Sequence, residues 1–505
     1  MMNRGVSDYI GTRYLVIESI DLSTINQSTG SIYRKLTSLH RFEYQHNERI
    51  VFYCQHAPSQ QLADHIQRAA KLVDISNFFI LIFCGEPTQH LFDLSHRVYG
   101  DADSSPIVCE IHDIDSGKIL PDNFLINEQT LCPMPWMHLA VSNTGHYAPC
   151  CVYQGKIGSV STDTMQNIFH GTSLTALRRE LSDGKQPVGC SHCWNLEKNG
   201  LTSNRQNHLS LYRQHLLSEL IDNPTLQSID IKAGNICNFK CRICSPASSS
   251  SIAVEKLRYS AHDDKTEILS LLYQGRWFDH NKDFLEQLIN LLPNLINIDF
   301  YGGEPLLLKN IYLFLELAIQ SGDSDHIRLH INTNGSVYPE KFMPLLKKFQ
   351  SVDIAVSIDD TNQRFELQRG GSWKEIQDNI NKLKSWADSQ LRIYIMPTVN
   401  IQNVLYLESL FFWASEQDLN ITLNYLDQPT YLCVDYMTDL AKELVVSKYK
   451  NHNIKELSNL AKRISASAGS NGQEFVEYMS MLDQRRHETF ADTHREIASA
   501  MGYQV

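Results

Sequence analysis

The chain has 505 residues, 42% hydrophobic and 20% charged, a length that ordinary hydrophobic cores divide into about two to four domains. Acidic residues outnumber basic ones by 57 to 45, and the net charge of −12 argues against a nonspecific binder of nucleic-acid backbones. The longest apolar runs, such as FFILIF at 78–83, fall far short of the ~20 residues that span a bilayer, and the N-terminus lacks the pattern of a secretion signal, so a cytoplasmic location is expected.

Residues 1–128 alternate strand-like runs (RYLVIESI, RIVFYC, FFILIFC, IVCEIHDI) with one amphipathic helix, QQLADHIQRAAKLV, the pattern of a small α/β domain. Residues 129–200 hold five cysteines, several glycines and prolines and little long periodicity, the composition of a module in which a metal site replaces part of a core. A polar linker helix is expected within 201–227. From Ser228 the runs SIDIKA, LINIDFY, IRLHINT, VDIAVSI, LRIYIMPT and NITLNYL alternate with helical segments, six β–α repeats within 228–435. Such repeats make a parallel sheet with crossover helices, and because an eight-fold barrel needs ~250 residues, an incomplete six-stranded barrel is the better fit. Residues 436–505 read as polar and helical, with QEFVEYMSMLDQRRHETF the clearest amphipathic piece.

The chemistry is carried by cysteines. In a reducing compartment eight clustered cysteines of twelve point to metal or iron–sulfur binding rather than disulfides. Cys237, Cys241 and Cys244, in CNFKCRIC, follow the first strand of the barrel, at the face where barrel sites form. No fourth Cys or His lies within easy reach to complete a zinc site, whereas three thiolates leave one iron of a 4Fe-4S cluster open. Structural zinc is the alternative. After the second strand, GGEP (302–305) offers two glycines that let backbone approach a ligand, and the carboxylate of Glu304. The second cysteine group comprises Cys132, Cys150, Cys151, Cys190 and Cys193, for which a four-cysteine zinc ribbon is the alternative. Cys54, Cys84, Cys109 and Cys433, in or beside apolar runs, read as buried thiols. Arg369, in QRGGSW, reads as a solvated or structural arginine, with a pair to a substrate carboxylate or to a nearby acid as the alternative.

Over residues 228–430 or so, the cysteine loop, GGEP, INTNG and VSIDD, after strands one to four, and RGGSW after that, resemble the radical SAM superfamily. The resemblance implies a partial (β/α)6 radical SAM barrel in which Cys237, Cys241 and Cys244 hold a catalytic 4Fe-4S cluster. Its open iron would chelate S-adenosylmethionine, and one-electron reduction would yield a 5′-deoxyadenosyl radical that abstracts a substrate hydrogen. Gly302, Gly303 and Glu304 would line the site of the methionine amino group, and Ser357 and Asp359 the ribose region. Ile243 stands where the family commonly has an aromatic residue. The segment 132–193 resembles the twitch module, a shortened relative of the SPASM domain, placed here before the barrel instead of after it. That likeness implies an auxiliary 4Fe-4S cluster on Cys132, Cys150, Cys190 and Cys193, with Cys151 as the alternative to Cys150. The implied function is an enzyme modifying a peptide, as in ribosomal peptide maturation. The alternatives are a small-molecule dehydrogenase or epimerase of a sugar or cyclitol, and a non-catalytic iron–sulfur sensor. A flavodoxin- or ferredoxin-type protein would supply the electron.

Overall fold

The computed structural model of the chain describes residues 130–198, 202–212, 221 and 223–504, and of the earlier residues five strands. These are β1 (Arg4–Tyr9), β2 (Thr12–Ile17), β3 (Glu48–Cys54), β4 (Ile80–Cys84) and β5 (Cys109–Asp113), hydrogen-bonded in that order into one sheet. β1 and β2 are antiparallel, and β2 to β5 run parallel. The four apolar runs of this region supply β2 to β5. β1, with the sequence RGVSDY, has no apolar alternation and gave no strand signal. The helix expected at 60–73 lies outside the described residues.

The chain divides into two compact units, Met1–Met137 with Ala176–Thr225, and His138–Thr175 with Leu226–Val505. The cysteine-rich segment 129–200 contributes to both. In the first unit the expected linker helix is Asn204–Tyr212. Its Arg205 forks onto Glu197, Nε to Oε1 at 2.9 Å and Nη2 to Oε2 at 2.6 Å, and donates from Nη1 to the Leu131 carbonyl at 2.9 Å. This bidentate pair ties the helix Ser191–Lys198, which carries Cys193, to the residue beside Cys132.

The second unit is built on a nine-stranded sheet. Its strands are β6 (His138–Val141), β7 (His146–Ala148), β8 (Gly158–Ser159), β9 (Ser228–Lys232), β10 (Asn297–Tyr301), β11 (Arg328–Thr333), β12 (Ser351–Val356), β13 (Leu391–Ile395) and β15 (Asn420–Ile421). β14 (Thr398–Val399) and β16 (Asn424–Tyr425) form a separate parallel pair. In the large sheet the order is β15-β13-β12-β11-β10-β9-β6-β7-β8, so the six repeats lie side by side in chain order and all parallel. LRIYIMPT becomes two strands because Pro397 has no N–H to give a ladder. On the other side of β9, β6 pairs in parallel and turns back through β7.

The parallel strands alternate with period two. One face carries Ile229, Ile231, Ile298, Phe300, Leu329, Ile331, Val352 and Ile354, all buried. The opposite face is polar, and its register aligns one titratable row across five strands: Asp230, Asp299, His330, Asp353 and Arg392. His330 joins neighbours along that row, Nδ1 lying 3.4 Å from Asp299 Oδ2 and Nε2 3.1 Å from the Tyr394 hydroxyl. Parallel strands covered on both faces are usually apolar throughout, and the polar row sets this face apart from the apolar one.

Helices with apolar stripes cover the other face. Lys282–Leu291 buries Phe284, Leu285, Leu288 and Leu291 at helical spacing, and Asn281 caps it by accepting from the Phe284 amide. The region after residue 436 is helical as expected: Asp439–Tyr449, Lys455–Ala466, Gln473–Arg486 and Phe490–Ala500. No helix among the described residues is long and apolar enough to cross a membrane.

Candidate active site

β9 ends at Lys232 and the chain turns at once into the cysteine loop. Gly234 has a φ of +118° and lies so close to Gly275 that a Cβ would meet its carbonyl oxygen at 2.0 Å, so only glycine fits. Buried Asn235 then fastens the loop, donating from its backbone to Gly275 O at 2.9 Å and from Nδ2 to Pro246 O at 2.9 Å. Cys237 is held by Ser250 and Ser251 at the start of the following helix. Its amide donates to Ser250 Oγ at 3.1 Å, and its carbonyl accepts from Ser251 Oγ at 2.7 Å.

The three thiols share this loop, with Cys241 buried and Cys237 and Cys244 half-buried. Burial, and then the neighbouring Cys241, push the Cys237 thiol up to about 11. A side-chain hydrogen bond between Cys241 and Cys244 raises Cys241 and lowers Cys244. Among the described residues no three His, Cys, Asp or Glu side chains are gathered as a single metal ion would need. A set of three soft thiol donors on one loop fits an iron–sulfur cluster.

The loop after β10 packs onto this one through backbone. Gly302 and Gly303 have φ of +85° and +59°, and a Cβ on Gly303 would lie 2.3 Å from the Ile236 carbonyl oxygen. The Glu304 amide donates to that same carbonyl at 2.7 Å. The Glu304 side chain is fully buried and points to the loop after β11. Oε1 accepts from Thr333 Oγ1 at 2.8 Å and Leu306 N at 3.1 Å, and Oε2 accepts from Asn334 N at 2.6 Å. Burial raises Glu304 to about 7 in spite of these donors. Asn334 completes the circuit: its Nδ2 donates to Asn238 Oδ1 at 3.0 Å and lies 3.8 Å from Cys237 Sγ. Glu304 therefore joins the motifs after β10 and β11 to the cysteine loop.

Asp359 and Ser357 follow β12. Asp359 is buried with both oxygens engaged, Oδ2 accepting from Arg369 Nε at 2.9 Å and Oδ1 from Thr398 N at 2.8 Å, while Ser357 is half-buried and donates its amide to Thr333 O at 2.8 Å. Arg369, far from solvated, is buried at the C-terminus of Asn362–Arg369, with Nη1 3.9 Å from Cys241 Sγ and its carbonyl 3.7 Å from the same sulfur. Burial opposes its charge, but Asp359 and the thiols outweigh that and hold it firmly protonated.

Sequence reasoning passed over Arg242, which stands between the second and third cysteines of the loop. Its guanidinium is fully buried, with Nη2 2.5 Å from Asp483 Oδ1 and 2.6 Å from Glu488 Oε2, and its carbonyl accepts from the Tyr478 hydroxyl at 2.8 Å. Arg486 adds a donation to the Lys240 carbonyl at 2.9 Å and a pair with Glu255 at 2.7 Å. No local pattern announces these partners, which lie more than 200 positions away.

Of the second cysteine group, Cys132, Cys190 and Cys193 belong to one compact unit and Cys150 and Cys151 to the other. Burial and then Cys193 raise the Cys190 thiol to about 11. Burial, and then Asp230 on the polar face of β9, raise Cys151. Cys433 is buried, as expected of a structural thiol. Cys54, Cys84 and Cys109 fall within strands whose side chains lie outside the described residues.

Residues 231–410 match the Radical SAM superfamily, and residues 132–194 match the SPASM iron–sulfur cluster-binding domain. No curated protein matches the chain. Among solved structures it is similar to native anSMEcpe with bound AdoMet and Cp18Cys peptide, at 17% identity over 45% of this chain and 58% of that one, TM-score 0.31. Native anSMEcpe with bound AdoMet gives 15% identity over 50% and 65%, TM-score 0.32, so the chain spans less than two thirds of either. TYW1 with a lysine-pyruvate adduct bound gives 15% identity over 46% and 73%, TM-score 0.26.

Proposed function

We propose that this chain, which carries a radical SAM domain and a SPASM domain and with them the iron–sulfur clusters and S-adenosylmethionine of those families, is an enzyme that removes hydrogen from an unactivated C–H bond. Cys237, Cys241 and Cys244 hold the catalytic 4Fe-4S cluster, and the SPASM segment 132–194 holds the auxiliary one. When bound, the reduced cluster and S-adenosylmethionine supply a 5′-deoxyadenosyl radical. The protein supplies position. The carrying observation is the joining of three strand-end motifs, with Glu304 hydrogen-bonded to Ile236 just before Cys237 and to Thr333 and Asn334 after β11. Gly302 and Gly303 let this junction pack backbone against the cysteine loop, which sets the two loops together around the methionine amino group. Arg369 places a fixed positive charge beside Cys241, favouring the thiolate form that ligates iron. Asp359 sets the orientation of Arg369 and borders the ribose region with Ser357.

The substrate is a peptide, for which β1 to β5 form a second sheet of the kind that an extended segment joins by strand addition. A small-molecule substrate is the second reading, favoured by a cavity of about 410 Å³ beside the site, a size suited to metabolites. The deciding experiment incubates anaerobically reconstituted, reduced protein and S-adenosylmethionine with host-cell extract separated by size, and measures 5′-deoxyadenosine above the uncoupled background. Stimulation by a protease-sensitive peptide fraction supports the first reading, and stimulation by small metabolites the second. A protein that holds its iron and forms no 5′-deoxyadenosine under any condition is a sensor, and the enzymatic reading falls.

A further inference from the structure

The cavity of about 410 Å³ opens where three parallel strands end. Val141, Lys232 and Tyr301, the last residues of β6, β9 and β10, all line it, and the segment after β7 adds Cys150, Tyr153 and Lys156. The same strand ends launch the cysteine loop and GGEP, so the cavity stands on the active side of the sheet. It also touches the site directly: a Cβ on Gly302 would lie 3.1 Å from Lys232 Cα and Cβ.

The lysines lining this cavity are Lys232 and Lys156. Lys232 is the register partner of Tyr301, and its Nζ stands 5.5 Å over the Tyr301 ring, which aims the ammonium along the cavity wall. No Asp or Glu lines the space, and among the described residues neither Lys232 nor Lys156 has an ion-pair partner. The chain does not lack acids: it has 57 against 45 bases, and Lys347 and Lys448 are both paired with carboxylates. Lys232 is half-buried and Lys156 exposed, and a half-buried ammonium without an ion-pair partner favours the arrival of an anion. Asp230, two residues earlier on the same face of β9, interacts with Cys151 on the cavity wall, and its negative charge disfavours an anion on that side of the lysines.

We infer that Lys232 and Lys156 bind an anionic group of the substrate, a carboxylate or a phosphate, and so orient the neighbouring C–H bond toward the cysteine loop. This deepens the proposed function and rests on it for the identity of the reaction. Binding itself is testable without turnover.

The test is acylation of lysines in the anaerobically reconstituted full chain, read by mass spectrometry with succinate, inorganic phosphate or S-adenosylmethionine as the probe. At a probe concentration ten times that of half-protection, labelling of Lys232 and Lys156 should fall about tenfold. Lys374, exposed on its helix, serves as the unprotected control. Protection by succinate assigns a carboxylate, and protection by phosphate a phosphate. Lys232→Met should abolish protection at Lys156, and Lys232→Arg should restore it. Protection by S-adenosylmethionine alone would mean that the cofactor's own carboxylate occupies the lysines, and would overturn the inference. So would labelling indifferent to every probe. A Lys232→Met protein that shifts only the cluster's reduction potential and keeps Lys156 protected would make the lysine a mere counter-charge. Iron content and 5′-deoxyadenosine measured on the same samples report separately on the reaction.

Discussion

The Arg242 guanidinium lies 2.5 Å from the Asp483 carboxylate, so the loop between the second and third barrel cysteines is ion-paired to a helix near the end of the chain. Both partners are buried, and removing one leaves an uncompensated charge. Arg242→Met should lower the unfolding free energy by about 3–5 kcal/mol, measured by urea denaturation. Asp483→Asn should lower it less, because Glu488 remains at 2.6 Å. If the protein holds the two proposed 4Fe-4S clusters, reconstituted Arg242→Met protein that still folds should lose about four of about eight irons, the catalytic share, and retain the auxiliary share. Loss of both shares together would indicate general unfolding.

Arg369 joins Asp359 to Cys241. Arg369→Gln should leave Asp359 buried without its cation and Cys241 without its nearest positive charge. Iron retention at the barrel loop should fall, and Arg369→Lys should recover only part of it, since an ammonium keeps the charge but not the planar fork. Iron-to-protein ratios of the two variants check this, and equal ratios to the parent would remove Arg369 from the site.

The two glycines of GGEP should respond unequally. An alanine at 303 would put a Cβ 2.3 Å from the Ile236 carbonyl oxygen, whereas at 302 the nearest atoms stand at 3.1 Å. Gly303→Ala should therefore displace the cysteine loop and abolish measurable S-adenosylmethionine binding in equilibrium dialysis, and Gly302→Ala should weaken it. The reverse ranking would show that the Gly303 contact is not limiting.

Glu304 gives the apoprotein a pH signature. Its folded value of about 7 exceeds the ordinary 4.5, so the native state binds the proton more tightly than the unfolded chain. The resulting stabilisation is complete below about 4.5 and is lost as pH rises through 7, a change of about 3 kcal/mol. Urea midpoints at pH 5 and pH 8 should show the parent losing stability relative to Glu304→Gln by an amount of this order. A pH-independent difference would place the Glu304 ionisation elsewhere.

The legible parts of this molecule are those encoded by short spacing. Six strand-like runs fall on β9 to β16, and the positions of Cys237 and GGEP at strand ends follow from them because each motif abuts its strand. For Arg369 the sequence leaves the solvated, structural and acid-paired readings open, because its setting depends on a helix returning it to β9's loop, where Asp359 and Cys241 meet it. Arg242 is silent because its partners lie in the C-terminal helices, which sequence shows only as amphipathic. The polar row from Asp230 to Arg392 is visible strand by strand as alternation, yet its continuity appears only in the register.

The pairing of β6 with β9 bears on how the barrel can be cut out of the chain. His138 and Ser228, bonded at 2.9 Å, are 90 positions apart, so the strand that launches the cysteine loop is shielded by a strand made long before it. A fragment starting at residue 226 would expose β9 as a free edge with unpaired N–H and C=O groups, an invitation to intermolecular strand pairing and aggregation. Excision at His138 keeps the cover in place, and the price is a slow, non-local closure in folding.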